Sequence, residues 1–324
     1  RGNRVHQTRC ERFARRAIQS NLDDPGKLQR KGSRVRPLRT RLEQARKDTG
    51  MGWAVLERDY LLSWILAAIG DYEPLRETLV FKGGTALKKC YFGDYRFSED
   101  LDFSGLPGVP SGQKMEAAID AVCQSATKMI DEYAPVRIQW ERYTEKDPHP
   151  GGQEAFAVRA QLPWQRQPQT RAIVEIALDE KVLLPPCRRA VIHDYGEPIE
   201  VDLQVYTLEE IIAEKLRAIL QHQEKLEERG WARSRARDYY DIWRILGAYQ
   251  DRLDLTGFAQ LLREKCEIRG VGFQAAEDFF GNKMLAYVER TWDQWLGSLV
   301  PHLPTCETVM GQLRPQIVSM LASD

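Results

Sequence analysis

Two aspartates separated by one residue, Asp100 and Asp102, are the side chains of this sequence best placed to do chemistry. The surrounding segment, residues 97–104, has the composition of a β-strand. Alternate side chains of a strand share a face, so both carboxylates lie on one side and Leu101 and Phe103 lie on the other. Carboxylates about 7 Å apart repel each other unless a cation lies between them, and paired oxygen ligands suit Mg²⁺, which also coordinates nucleotide phosphates. A solvated surface pair is the alternative interpretation.

A glycine pair followed by a threonine precedes these aspartates. Gly83, Gly84 and Thr85 follow a short apolar strand candidate at 78–81, and the glycines permit a tight turn and a close approach of the backbone to a ligand. Thr85 can cap the next helix, whose N-terminus favours anions. The turn indicates a phosphate site, although a structural turn is the commoner explanation for such a sequence on its own.

A third carboxylate is expected on a neighbouring strand if the site holds two metal ions. Glu175 is the best candidate, because it lies within the apolar run 173–177, where an unpaired charge is costly unless a cation matches it. Asp179, at the end of the same strand, is the alternative.

Charged residues of the C-terminal third are further candidates. Lys215 lies in the middle of an apolar helix stripe, so it either snorkels to solvent or points at an anion, and the nearby motifs favour a triphosphate. Asp238 and Asp241 are neighbours on a later helix, where charged flanks are also ordinary. A basic cluster suited to the phosphates of a nucleotide or an RNA backbone precedes them: Arg229, Arg233, Arg235 and Arg237.

The spacing of apolar residues predicts the elements that position these side chains. It predicts helices over 54–70, 86–91 and 114–133, and strands over 78–81, 97–104, 136–143, 154–162, 172–178 and 199–205. After a capping box at Thr207 and Glu210, it predicts only helices, over 208–228, 235–249, 255–266, 273–293 and 306–322. We therefore expect a basic, weakly structured extension (1–50), an α/β domain (51–206) and a helical domain (207–324).

Four blocks of the sequence resemble the signature of the AbiEii/AbiGii-type nucleotidyltransferase toxins of bacterial abortive-infection and type IV toxin–antitoxin systems, a group that includes the MenT-type toxins. These blocks are residues 82–87, 95–103, 213–218 and 237–242, in the family's order. The resemblance runs from about residue 56 to residue 246. It implies an α+β fold, in which a polymerase-β-like nucleotidyltransferase core with a mixed sheet and flanking helices is followed by a helical C-terminal domain that contributes to the active site.

The resemblance also implies roles for individual residues. Asp100 and Asp102 would bind Mg²⁺, with Mn²⁺ as an alternative and Glu175 as the candidate third ligand, and Lys215 and Asp238 would complete the catalytic group. Ser98 matches a serine of the family beside the metal site, where modification would silence the enzyme. The residues expected to contact the nucleotide are Lys82, Gly83, Gly84, Thr85, Arg96, Ser98 and Asp241.

The expected function is that of a cytoplasmic toxin that transfers NMP from an NTP to an acceptor, with the 3′ end of tRNA as the favoured acceptor, and so blocks translation during phage defence. An AbiEi-like antitoxin is the expected partner. Two alternatives stay open: an enzyme that transfers NMP to a protein, and a partner protein that binds NTP without turnover.

Charge is distributed unevenly along the chain. The 47 basic and 47 acidic residues balance, but residues 1–50 contain 15 basic and 5 acidic residues, against 32 and 42 in the remainder. The resemblance does not reach residues 1–50, so we expect them to precede a start at Met51 rather than to form an RNA-binding arm. The longest apolar stretch, residues 60–70, is about half the length needed to span a bilayer, and the six cysteines are scattered, as is typical of reduced thiols.

Overall fold

A mixed seven-stranded sheet carries the candidate site. The computed structural model describes residues 35–143 and 152–322, and the strand order is β3-β4-β5-β2-β1-β7-β6. β1 is antiparallel to β2 and parallel to β7, and β2 is parallel to β5. The predicted mixed sheet with flanking helices is therefore confirmed. The strands are β1 (Leu79–Lys82), β2 (Asp100–Gly105), β3 (Arg137–Arg142), β4 (Gln153–Gln161), β5 (Thr170–Ala177), β6 (Cys187–Ala190) and β7 (Asp202–Val205).

Helices flank the sheet and dominate the chain after β7. A π-helical turn, Leu87–Tyr91, continues α4, and short 3₁₀ turns occur at Gln250–Arg252 and Ala276–Phe280. No helix of the described segments combines the length and the apolar character needed to cross a membrane. The helices are α1 (Leu38–Thr49), α2 (Trp53–Asp71), α3 (Glu73–Arg76), α4 (Gly83–Ala86), α5 (Gln113–Asp131), α6 (Leu208–Arg229), α7 (Ala236–Tyr249), α8 (Phe258–Glu267), α9 (Asn282–Leu296) and α10 (Cys306–Leu321).

The two faces of the central strands have different neighbours. Phe81 and Phe103 are register partners on one face, and their rings lie 5.0 Å apart. Leu203 of β7 points to the same face and lies against Gly70 of α2. On the opposite face Lys82 forms an ion pair with Glu180. The aspartates of β2 share this second face, because side chains alternate along the strand.

One hydrophobic core extends from Leu38 to Met320, and the described residues from Leu38 onward belong to a single compact unit. The sequence division at residue 206 therefore does not separate two cores. The predicted extension is also too long: α1 buries Leu38 and Leu42, and Arg41 donates a hydrogen bond to the carbonyl oxygen of Tyr195 at 2.8 Å. The weak structure predicted for residues 1–50 is wrong for Leu38–Thr49, and residues 1–34 lie outside the described residues.

Candidate active site

The two predicted aspartates lie at the start of β2, on the face of the sheet that α6 approaches. Asp102 is the register partner of Lys82 on β1 and of Glu175 on β5. Residues paired across a sheet place their side chains on the same face, so Glu175 shares the face of Asp100 and Asp102. Several carboxylates therefore lie on one face of the sheet, at the end of the central strands where β1 finishes and β2 begins.

The glycine turn at the end of β1 is shaped by its neighbours. Gly83 has φ +77°, and a Cβ atom there would overlap the carboxylate of Asp102. At Gly84 a Cβ atom would overlap the guanidinium of Arg96. Thr85 does not cap a helix as its sequence position predicted, because its hydroxyl donates to the backbone oxygen of Asp100. The turn is thus held against both Asp102 and Arg96.

A buried carboxylate, Asp241 of α7, gathers the basic groups around this turn. Arg96 donates to Asp241 from Nε and Nη2, each at 2.6 Å, and the hydroxyl of Tyr95 donates at 2.7 Å. Nζ of Lys215, from α6, lies 2.7 Å from Oδ2 of Asp241. Asp241 has no solvent exposure (0%), and Arg96 is 4% exposed. Residues far apart in the sequence are therefore joined through one carboxylate, which we call the Asp241 cluster (Tyr95, Arg96, Lys215 and Asp241).

Asp238 extends this cluster toward the surface. Nζ of Lys215 lies 3.0 Å from Oδ1 of Asp238, and Nη1 of Arg235 lies 2.9 Å from Oδ2. Burial opposes ionisation of this carboxyl, but Lys215 and Arg235 outweigh it and hold the pKa of Asp238 well below its usual range. Burial likewise disfavours the charged lysine, yet Asp241 and Asp238 raise the pKa of Lys215. Both groups are therefore ionised at neutral pH.

Asp100 is in a different electrostatic environment from Asp238. Burial, then repulsion by Asp102 and Glu99, raises the pKa of Asp100 to about 6, and Arg233 and Arg58 offset this only in part. Glu99 is itself bridged by Arg58 at 2.6 Å and Arg237 at 2.9 Å. Asp100 is thus a carboxylate whose negative charge is poorly compensated by its neighbours.

The remaining predicted residues occupy varied positions. Lys82 contacts Glu180, and burial lowers the pKa of Lys82 to about 8 despite the nearby Glu214 and Asp102. Ser98 is half-buried in the segment leading into β2. Asp179, the alternative third carboxylate, lies 3.6 Å from Nη1 of Arg269. Within residues 35–143 and 152–322, no three His, Cys, Asp or Glu side chains form a ready metal cluster, so a metal role for Glu175 stays a prediction.

Sequence reasoning missed several partners of the site. Tyr95 stands within the recognised block, but only the structure shows its hydrogen bond to Asp241. Arg235 was noted for its charge, and its position three residues before Asp238 was a usable helical signal. Glu180 had no such signal, because its contacts with Lys82 and with the hydroxyl of Ser104 at 3.0 Å come from distant parts of the chain.

Known proteins share both the sequence pattern and the fold of this chain. The family model described as "Nucleotidyl transferase AbiEii toxin, Type IV TA system" matches residues 64–316. Among solved structures, the chain is similar to MenT4, a nucleotidyltransferase toxin from Mycobacterium tuberculosis H37Rv, with a TM-score of 0.54 and 21% identity, covering 87% of this chain and 90% of that chain. No curated protein matches the chain. At this identity the structural likeness establishes a shared fold.

Proposed function

The chain belongs to the AbiEii nucleotidyltransferase toxin family of type IV toxin–antitoxin systems, and from this premise we propose that it transfers NMP from an NTP to the 3′ end of a tRNA in a Mg²⁺-dependent reaction. The observation that carries the proposal is one unbroken series of contacts. It runs from Asp102 through the Gly83–Gly84 turn to Arg96, and through Asp241 to Lys215 and Asp238. The membership identifies an enzyme of the nucleotidyltransferase class, and the acceptor and metal are the proposed part.

The donor set fits a divalent cation. Asp100 and Asp102 lie on one face of β2, and the poorly compensated charge of Asp100 favours a cation beside it. Mg²⁺ in proteins usually takes one or two carboxylates and completes its shell with water and substrate phosphates. Two aspartates, without a third protein ligand, are therefore a suitable set for a metal that arrives with its nucleotide. When bound, the ion would neutralise charge on the phosphates.

The turn and the Asp241 cluster would hold the triphosphate. Gly83 and Gly84 leave no side chain between the backbone and a ligand, so the backbone can approach phosphate oxygens closely. Lys215 is held by two carboxylates, and its raised pKa keeps it cationic next to a developing negative charge. Asp238 is too weak a base to accept the acceptor's proton, because its pKa is strongly lowered. We assign to Asp238 the orientation of Lys215.

An RNA acceptor is supported by the arginines around Asp100. Arg58 and Arg233 are close enough to Asp100 to lower its pKa, and arginine is a preferred partner of phosphodiesters. NTPs and tRNA are cytoplasmic, so we place the reaction in the cytoplasm. The family membership implies an antitoxin partner, and we propose an AbiEi-like protein.

A labelled-transfer assay tests the acceptor. Purified protein is incubated with each α-labelled NTP, tRNA and lysate protein, with Mg²⁺, Mn²⁺ or EDTA, beside an Asp100→Ala/Asp102→Ala control. Label at the 3′ end of tRNA, lost in EDTA and in the control, is the expected result. Label on protein would replace the RNA acceptor by a protein acceptor. NTP binding without transfer to either acceptor would refute both.

A further inference from the structure

The loop between α6 and α7 exposes an aromatic side chain. Trp231 is 65% exposed and is the one mostly exposed aromatic residue among the described segments. Burial of an indole is strongly favourable, but single exposed apolar residues are ordinary, so the position of this indole beside the site decides its meaning. Arg229 and Arg233, two residues away on either side, are exposed as well, and the exposed Glu227 and Glu228 precede them at the end of α6.

Contacts with neighbouring helices fix the position of this loop. α6 ends at Arg229 and is capped by Gly230, whose N–H donates to the carbonyl of Leu226 at 3.1 Å. Ala232 and Ser234 are buried, and the Ser234 hydroxyl lies 2.7 Å from that of Thr291. Burial therefore alternates along the loop, with Ala232 and Ser234 facing inward and Trp231 and Arg233 facing outward. The exposure of Trp231 follows from the burial of the residues on its C-terminal side.

The same loop borders the reaction centre. The guanidiniums of Arg233 and Arg237 lie 5.9 Å and 5.3 Å from the centre of the Trp295 ring. Arg237 also forms an ion pair at 2.9 Å with Glu99, the residue before Asp100. Arg233 is also close enough to Asp100 to lower its pKa, so the loop that carries Trp231 lies beside the aspartates of β2.

We propose that Trp231 and Arg233 form a platform for the unpaired 3′ end of the acceptor RNA, in which the indole stacks on a base and the guanidinium contacts a phosphate. This inference rests on the proposed function, since it names how that acceptor is held. An exposed aromatic ring next to arginines is the combination that binds single-stranded nucleic acid, because every base offers a π face to the ring. A blunt duplex offers the indole only the outer face of its terminal pair, whereas each unpaired nucleotide of a single strand can turn a base toward the ring, so the single-stranded end gains more.

The test measures binding of two fluorescein-labelled RNA hairpins, one with a four-nucleotide single-stranded 3′ end and one blunt, to the full-length protein. Trp231→Ala is expected to weaken binding of the overhang RNA by tenfold to hundredfold, on the order of one lost stack, and to weaken binding of the blunt RNA by less. Trp231→Phe keeps a ring and should retain most of the affinity. Val318→Ala, at an exposed apolar residue of α10 outside this loop (41% exposed), is the matched control and should change neither.

Two further measurements complete the test. Arg233→Ala should reduce the slope of log K against log salt by about 0.7, the value for one phosphate contact with a single strand. Equal affinities of wild type and Trp231→Ala for the overhang RNA, or equal losses for both RNAs, would overturn the platform. So would intact RNA binding by Trp231→Ala together with loss of antitoxin neutralisation, since the loop would then bind protein.

The RNA-binding measurement is decided independently of the proposed function. Trp231-dependent binding is measured without NTP, so it is decided even when no label reaches RNA. Absence of transfer to tRNA by the wild-type protein would reject the proposed acceptor and leave the binding result standing. In the transfer assay, Trp231→Ala should raise KM for RNA by a similar factor while kcat and KM for NTP stay constant.

Discussion

Replacement of Asp241 by Asn tests whether the buried carboxylate holds the site together. The change keeps the size of the side chain but removes its charge and one of its two acceptor oxygens. Arg96, Lys215 and Tyr95 all point at that carboxylate, so Asn would face buried donors with an amide group that is itself a donor. Only Asp238 would remain to balance Lys215, and Arg96 would lose its bidentate partner.

The expected cost follows from the complete burial of the pair. Breaking a buried ion pair by removing one partner costs about 3–5 kcal/mol, because the remaining charge stays buried without compensation. For a chain of this size, that loss lowers Tm by roughly 4–8 °C. The pKa directions agree with this, since Arg96 and Lys215 lower the pKa of Asp241 against the effect of burial.

Thermal and chemical denaturation measure the loss, and transfer is assayed separately at a temperature where the variant is folded. Glu77→Gln is the control, because Glu77 pairs with Arg188 at 3.0 Å on the surface and its loss should leave Tm unchanged. A second variant, Arg96→Met with Asp241→Leu, removes both charges of the pair and should regain part of the lost stability.

These variants separate a stabilising role from a positioning role. If the Asp241 cluster positions the turn, the double variant regains stability but not transfer, and its KM for NTP stays high. Destabilisation by Asp241→Asn of less than about 1 kcal/mol would contradict the premise that breaking a buried pair is costly. Full transfer by the double variant would show that the pair serves stability alone.

Three further predictions concern the turn and the strand beside it. Gly83→Ala should lower transfer by about 10²-fold, because the added Cβ displaces Asp102. Gly108→Ala, also at a positive φ (+93°) but with open space around it, should only lower Tm. Equal effects of the two variants on transfer would refute the overlap of the Cβ atom with Asp102 as the cause. In EDTA, Asp100→Asn should be more stable than wild type by up to about 3 kcal/mol above pH 6 and equal to it below pH 4, because an acid whose pKa is raised by folding loses stability as pH rises through that range. Urea denaturation at each pH measures the difference in the free energy of unfolding. A difference that does not change with pH would contradict this. Thr85→Val should cost about 1 kcal/mol by removing its hydrogen bond to the Asp100 backbone, and unchanged stability would show that the bond contributes little.

Local signals in the sequence were sufficient to predict most elements near the site. The helix predicted over 54–70 is α2 (Trp53–Asp71), and the strand predicted over 97–104 overlaps β2 (Asp100–Gly105), because each has a periodic pattern within one short window. The helix predicted over 273–293 is wrong as one element. It is interrupted at Gly281, whose backbone is not helical (ψ 132°), and the apolar spacing continues across that break.

Elements with weak local patterns were missed. α1 has two buried leucines, Leu38 and Leu42, in an otherwise basic segment. Their spacing of four is typical of a helix, but the basic composition of the segment favoured a prediction of weak structure. β6 (Cys187–Ala190) is an edge strand of four residues whose only partner is β7. Both elements are stabilised by contacts with distant residues, which a window of sequence does not contain.

The helices after residue 206 contribute charged side chains to the same buried cluster as the segment before β2. A helical segment with its own apolar stripes looks self-sufficient, yet Lys215 and Asp241 form ion pairs with each other and, through Asp241, with Arg96, 145 positions away. A charge buried in one segment alone would be too costly to keep. Arg96 is tolerated in the core because α7 supplies its counterion Asp241, whereas Lys215 is paired within the helices by Asp238 and Asp241. The sheet and the helices must therefore fold together before Arg96 has a fixed position beside the glycine turn.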